Sequence, residues 1–402
     1  MTRAKVCATG ITSIVLFLTC IFSSPTWARE PDRPCANLSD SPRVHPRPDA
    51  HQKHFLHQLR SLATGKGVSI AVIDTGVTQH DQLQNLHGLK DLVSPDAEQP
   101  LKDCDAHGTI VAGLIAGHDI GLAPDASIYS IRQTSAHYDK PAPHGDEETK
   151  ARVRASGSLA SLTEAISTAV NAQVDVINIS VVSCVPPSIA SKVDTRALER
   201  ALNRAEAANI PVVAAAGNQG SHCQPGWVVF PAHSPTVIAT SALSSPHAIA
   251  DYSIPHPHPP LAADGLVPVA LSTHNSRWAD GTLNEQGKRV DFEGTSFAAP
   301  RITGLIALLK ERNPALTAPE IRELLYSSAQ PITGYIDPLH LLQSTRPDTI
   351  PAKHQLHISP VNEAEEDFTI QRAQIALSVL AGCGVISLAT SGMATRRRKA
   401  RR

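Results

Sequence analysis

The chain has 402 residues and a formal net charge of -1, long enough for two or three domains of about 150 residues or for one large α/β unit. With 42% hydrophobic and 18% charged residues it has the material for a packed core, which excludes wholesale disorder. The near-zero charge excludes a chain-wide nucleic-acid binder, and 31 Pro with 23 Gly, dispersed rather than periodic, exclude a collagen and predict many loops.

Arg3 and Lys5 precede an uncharged run over 6–22, and Thr26-Trp27-Ala28 offers a small residue at a cut site. This predicts a secretory signal peptide over 1–28, removed on export. Residues 29–66 are polar, Pro-rich and His-bearing. From Gly67 the pattern changes. Val68-Ser69-Ile70-Ala71-Val72-Ile73 is a β-branched run ending in Asp74-Thr75-Gly76, a buried strand entering a turn. Residues 110–115 read as an apolar helix. Residues 159–170 read as an amphipathic one, with Leu162, Ile166 and Val170 four apart. Buried strands are expected at 174–182 and 210–216, and helices at 196–208, 302–312 and 319–329, the last two separated by Pro314. The charged stretch 136–156 reads as a surface loop. Strands alternating with helices predict an α/β fold, a parallel sheet covered on both faces.

Residues 344–373 are polar and acidic, a linker. Residues 375–394 carry no charge over 20 positions, and at about 1.5 Å per residue they span about 30 Å of hydrocarbon. This predicts a transmembrane helix over 374–394. The tail 395–402 holds Arg396, Arg397, Arg398, Lys399, Arg401 and Arg402. Positive charge stays cytoplasmic, so everything before the span is expected outside. Beside a span this tail reads as an anchor rather than a nucleic-acid patch. The expectation is a single-pass type I protein of the cell membrane, in contact with the bilayer through one helix and with no nucleic acid. Of seven Cys, Cys7 and Cys20 leave with the signal peptide and Cys383 lies in the span. Cys35, Cys104, Cys184 and Cys223 remain in an oxidising compartment, enough for two disulfides in any of three connectivities.

Three polar residues stand out. Asp74 ends a buried strand, where an unpaired carboxylate is costly. His107 stands in Asp105-Ala106-His107-Gly108-Thr109, and Ser296 in Gly294-Thr295-Ser296-Phe297-Ala298-Ala299-Pro300, ahead of an apolar helix. Each alone has a plain reading as a turn residue or a helix cap. Together they supply nucleophilic catalysis: Ser296 attacks, His107 takes its proton and returns it to the leaving amine, and Asp74 fixes the imidazole tautomer. The backbone N–H of a serine at a helix start is an oxyanion donor. Asn218, in Ala214-Ala215-Ala216-Gly217-Asn218, can supply the second from its side chain.

These blocks resemble the signature blocks of the subtilisin-like serine proteases, peptidase family S8, which share the order Asp, His, Ser. The resemblance is closer to the mycosins, the membrane-anchored subtilisin-like proteases of type VII secretion systems. It is carried by Asp103-Cys104-Asp105-Ala106-His107-Gly108-Thr109-Ile110-Val111-Ala112-Gly113, by Ser130-Ile131-Arg132-Gln133-Thr134-Ser135, and by Val176-Ile177-Asn178-Ile179-Ser180 with Cys184. The resemblance implies a subtilisin-like fold over 67–343, three-layered, with a central mostly parallel sheet between helices. It implies a serine endopeptidase acting on protein or peptide substrates, without cofactor or metal, beside a type VII secretion membrane complex. A mainly structural role in that complex and a free-standing surface protease are the alternatives. It also implies the pairings Cys35–Cys104 and Cys184–Cys223. Between Ala28 and Gly67 lie 38 residues, too few for an independently stable inhibitory domain, so 29–66 is expected to wrap the catalytic domain.

Two segments depart from the family pattern. Val181-Val182-Ser183 stands where the broader family places Leu-Gly-Gly, so side chains replace bare backbone and a narrower cleft with restricted specificity is expected. In 249–285, Ser253-Ile254-Pro255-His256-Pro257-His258-Pro259-Pro260 replaces the mycosin pattern and leaves the local strand register open. His247, His256 and His258 could bind a metal, but alternation with Pro predicts an extended, solvated loop. No calcium-loop carboxylate cluster is evident.

Overall fold

A computed structural model describes residues 30–345, apart from 42, 95–97, 139–156 and 275. The expected signal peptide, most of the 136–156 loop, most of the expected linker, the expected 374–394 span and the basic tail lie outside the described residues. Among the described residues no helix is long and apolar enough to cross a membrane.

In chain order the strands are β1 (Leu38–Asp40), β2 (Ser69–Asp74), β3 (Leu86–Asp91), β4 (Ser127–Arg132), β5 (Val176–Ile179), β6 (Ser183–Val185), β7 (Val212–Ala215), β8 (Val228–Phe230) and β9 (Val237–Ser245). There follow β10 (Ala248–Ile249), β11 (Ala262–Asp264), β12 (Leu266–Val267), β13 (Ala270–Leu271), β14 (Trp278–Leu283), β15 (Arg289–Val290) and β16 (Phe292–Glu293). The helices are α1 (Ala50–Leu62), α2 (His107–Ala116), α3 (Leu159–Asn171), α4 (Pro187–Ala190), α5 (Arg196–Ala207), α6 (Thr295–Arg312), α7 (Ala318–Ser328) and α8 (Pro338–Ser344).

The main sheet runs β10-β9-β7-β5-β2-β4-β3, with β11 also on β9, and every pairing except β10–β9 is parallel. Alternate side chains face opposite ways along a strand, and the core divides accordingly. Ile70, Val72, Val176 and Val213 pack with α2 and α6, whereas Ala71, Ile73, Ile177 and Val212 pack with α3 and α5. The result is three layers. Burial on both faces is why these strands read as unbroken apolar runs. From β2 the chain moves to β3 and β4 on one side, while β5, β7 and β9 build out on the other. The carboxyl ends of β2 and β5 therefore flank the crevice where such sheets bind ligands.

The strand expected at 174–182 is shorter, Val176–Ile179, because Ser180, Val181 and Val182 turn into the crevice. The helix expected at 302–312 begins seven residues earlier, at Thr295, with Pro300 inside it. Pro300 is the sixth residue of the helix, so it removes the N–H that would donate to Ser296 O, one i→i−4 bond lost one turn past the helix start. Helix α1 falls in a segment that composition alone describes as polar and Pro-rich. An Asp49–Gln52 capping box starts it, and Phe55, Leu59 and Leu62 pack on the main core.

Residues 30–66 run along the rest of the fold. Strand β1 pairs antiparallel with β14, Ala36 N donates to Cys104 O at 2.8 Å, and Cys35 is bonded to Cys104. At their far end, the backbone amides of Thr64, Gly65 and Lys66 all donate to Glu311 Oε2, at 2.7, 2.6 and 3.2 Å.

Candidate active site

Strand β2 delivers Asp74 fully buried, and His107 is the first residue of α2. Their side chains meet: His107 Nδ1 and Asp74 Oδ1 are 2.7 Å apart. The packing where they meet is tight. Gly108 packs against β2's turn so closely that a Cβ there would lie 2.0 Å from Gly76 O. Ala106, just before the helix, takes the left-handed φ of 63°, a conformation that costs a non-glycine residue free energy and that the surroundings must enforce.

A buried network fixes this corner. Thr75 donates its backbone N–H to Asp74 Oδ1 at 2.8 Å and its hydroxyl to Asp103 Oδ1 at 2.8 Å, and accepts from Gly108 N at 3.0 Å. Asp103 Oδ2 accepts the N–H and the hydroxyl of Thr109 at 2.8 and 2.7 Å. Asp105 accepts from the Ser135 hydroxyl and from Ala136 N. Burial pushes the Asp103 carboxyl up to about 6, with the Asp105 charge adding to it and the Thr109 and Thr75 hydrogen bonds opposing. For His107, burial acts downward. The charge of Asp74, its hydrogen bond and the charges of Asp103 and Asp105 act upward, and the net shift is above the ordinary imidazole value.

Across the crevice the groups are uncharged. Ser296 is the second residue of α6, where backbone N–H groups have no intrahelical acceptor. Asn218 follows β7, bridged to Ser253. Its Oδ1 accepts both the N–H and the hydroxyl of Thr295, each at 2.9 Å, and the Thr295 hydroxyl in turn accepts Gly217 N at 3.1 Å. With the oxygen so held, the amide nitrogen faces the other way. A Cβ placed on Gly294 would lie 2.9 Å from Asn218 Nδ2 and 3.2 Å from Ser296 Oγ, so the missing side chain leaves open the space these two groups share. Phe297 lies beside the His107 ring, centroids 5.1 Å apart.

His107, Ser296 and Asn218 line one cleft of about 390 Å³ with Thr75, Asp105, Val181 and Val182. Asp74 sits behind it. Buried Asn178 backs it from β5, donating to Ser180 Oγ at 2.9 Å and accepting the Thr303 hydroxyl of α6 at 2.8 Å. Chemically, the cleft joins a hydroxyl, an imidazole backed by a carboxylate, and amide donors around one open space, the parts of an acyl-transfer site. Sequence reasoning missed Thr75, Asp103, Thr109 and Thr295. All are polar residues next to a singled-out residue or within four of one, in runs that are otherwise buried, and that position was the available signal.

The four cysteines form two bonds, Cys35–Cys104 beside the Asp103–Asp105 corner and Cys184–Cys223 beside β6 and β8. The segment 253–260 corrects an expectation. It is extended but solvated on one edge only: Pro255, Pro257 and Pro259 face outward, while His256 and His258 turn inward and are half-buried. His258 Nε2 lies 3.1 Å from Ala232 O, and the two rings are 5.9 Å apart. Burial pushes His256 down to about 4 and also lowers His233 and His258. His247 stays exposed. Among the described residues no group of three His, Cys, Asp or Glu is placed to hold a metal ion.

The subtilase family model matches residues 65–363. Mycosin-4 of Mycobacterium tuberculosis is 36% identical over 312 residues, which are 71% of this chain and 64% of that protein. This chain thus spans just under two thirds of that relative. Mycosin-1 of Mycolicibacterium smegmatis is 31% identical over 330 residues, 76% of this chain and 71% of that protein. Among solved structures, the MycP3 protease from the type VII (ESX-3) secretion system superposes with a TM-score of 0.70 at 29% identity, covering 79% of this chain and 94% of its own. A chain of the periplasmic assembly from the ESX-5 inner membrane complex does so with a TM-score of 0.69 at 26% identity, covering 81% and 92%.

Proposed function

The chain belongs to the subtilase family and, within it, to the mycosins, and from that premise we propose that it is a serine endopeptidase acting outside the cytoplasm beside a type VII secretion membrane complex. The observation that carries the chemistry is the 2.7 Å contact of His107 with buried Asp74, on a cleft that also holds Ser296 and Asn218. Ser296 is the nucleophile. His107 is the base that takes its proton and the acid that hands it to the leaving amine. Asp74 holds the imidazole with Nδ1 protonated and stabilises the imidazolium. The N–H of Ser296 and the Asn218 amide receive the oxyanion. Val181 and Val182 narrow the cleft, which favours a processing enzyme over a digestive one. The signal peptide over 1–28 directs export and is removed, the span over 374–394 holds the domain at the outer face of the membrane, and 29–66 remains part of the mature enzyme.

The test is labelling with a fluorophosphonate, which reacts only with an activated serine. The wild type is expected to label and Ser296→Ala is not. An unlabelled wild type would overturn the reading. A second reading, a mainly structural subunit of the membrane complex, is favoured by the likeness to a chain of the ESX-5 periplasmic assembly. Secretion that survives Ser296→Ala but fails without the whole protein would select it.

A further inference from the structure

A second concavity, of about 920 Å³, is larger than the catalytic cleft and shares no residue with it. One wall is the outward flank of α1, where Lys53, Leu56, His57 and Arg60 recur three or four residues apart and so share a helix face. Residues 45–48, His-Pro-Arg-Pro, continue that wall, and Trp278 of β14 forms an apolar part of the other. The groove is charged in one sense. Arg47, Lys53 and Arg60 face a single carboxylate, Asp119, which already holds His118 Nδ1 at 2.8 Å and the Gln82 amide at 3.0 Å. Arg60 spends one nitrogen on Gly121 O at 2.8 Å, and its buried Nε has no partner. Arg47 and Lys53 are exposed, and among the described residues no carboxylate pairs with either side chain. The chain as a whole carries a net charge of -1, so a cationic groove of this size is a local construction. Every cation in it comes from residues 45–60.

We infer that this groove is a docking site for an acidic polypeptide segment of a partner protein, one that carries apolar side chains between its carboxylates. The charge calls for an anion. The apolar wall formed by Leu56, Trp278 and the prolines rewards hydrophobic side chains, which a polyphosphate or a lipid headgroup does not offer. The volume admits several residues. Asp119 lies three residues beyond the far end of α2, whose first residue is His107 and whose 10 residues span about 15 Å, so a bound segment would lie well away from the scissile bond. The 45–60 stretch would then be a recognition element, a role separate from hydrolysis.

The test uses the full chain in detergent and a short fluorescein-labelled peptide alternating Glu and Leu, followed by fluorescence anisotropy. Saturable binding is expected that weakens steeply with salt. Arg47→Glu combined with Lys53→Glu is expected to weaken it about tenfold or more, and Ser296→Ala to leave it unchanged. Should the charge-reversed variant fail to fold, Arg47→Gln with Lys53→Gln takes its place, with a loss in the same direction. Equal binding by wild type and variant would overturn the inference. So would an absence of saturable binding at low salt, or displacement of the peptide by polyphosphate or anionic vesicles more readily than by its unlabelled copy. Fluorophosphonate labelling reports on the catalytic reading separately, so failure of one leaves the other standing.

Discussion

The two walls of the catalytic cleft are built from opposite materials. On the His107 wall, Asp74, Asp103 and Asp105 crowd around one imidazole in a buried network. On the Ser296 wall, Asn218, Thr295 and Gly294 are all neutral, and the ordering comes from hydrogen bonds and from one absent side chain. The first wall sets proton affinity, because charge in a low-dielectric site acts strongly on a titrating neighbour. The second sets shape and dipole direction, which do not titrate. Substitutions on the two walls should therefore fail in different ways.

Ser296→Ala should give the largest effect, a loss of about a millionfold in kcat, with the residual rate coming from the oxyanion donors. Asn218→Ala should cost about a hundred- to a thousandfold in kcat with KM little changed. Gly294→Ala should act like it, since its Cβ would stand 2.9 Å from Asn218 Nδ2. On this wall the pH profile of kcat/KM should keep its midpoint, and a moved midpoint would break the comparison.

Stability comes next. Cys35→Ser with Cys104→Ser opens a bond of sequence separation 69 and should cost about 2–5 kcal/mol, read as a lower midpoint in denaturant. Because that bond is attached to the Asp103–Asp105 corner, the double variant should also disturb the pH profile. Opening Cys184–Cys223, on the neutral side, should lower stability alone.

The smallest effects are the pH shifts of the His107 wall. In the proposed mechanism activity needs neutral His107, and its pKa lies above the ordinary value because of Asp74, Asp103 and Asp105. The acid limb of kcat/KM should accordingly sit above the usual imidazole range, and Asp105→Asn should move it to lower pH. Asp103 adds a stability slope. Its folded value of about 6 exceeds the unfolded value near 3.9, so the folded state binds the extra proton. Its contribution is complete below the unfolded value and is lost as pH rises through about 6. Asp103→Asn should remove that slope from thermal midpoints measured between about pH 4 and 7, at a cost of about 1–3 kcal/mol for the Thr109 donors it can no longer pair.

Much of this was legible in the chain. Ile70, Val72, Val176 and Val213 announce buried strands because both faces of the sheet are covered. The local contexts of Asp74, His107 and Ser296 mark chemistry because such residues are rare beside apolar runs. Helix α1 was not legible: its apolar side needs only Phe55, Leu59 and Leu62, and the surrounding Pro and His hide that signal. The inward turn of His256 and His258 was hidden too, since composition cannot tell which edge of an extended segment meets the core.

The sequence by itself determined which residues are chemically able to act and the order in which the chain presents them, because strand and helix periodicity and residue chemistry are local properties. Tertiary structure alone decided the rest. It placed Asp103 against Thr75 across 28 positions, aimed the Asn218 amide by engaging its oxygen with Thr295 77 positions away, and gathered the cations of residues 45–60 opposite Trp278. Burial, electrostatic shift and hydrogen-bond direction depend on neighbours that meet only when the sheet and its covering helices are assembled.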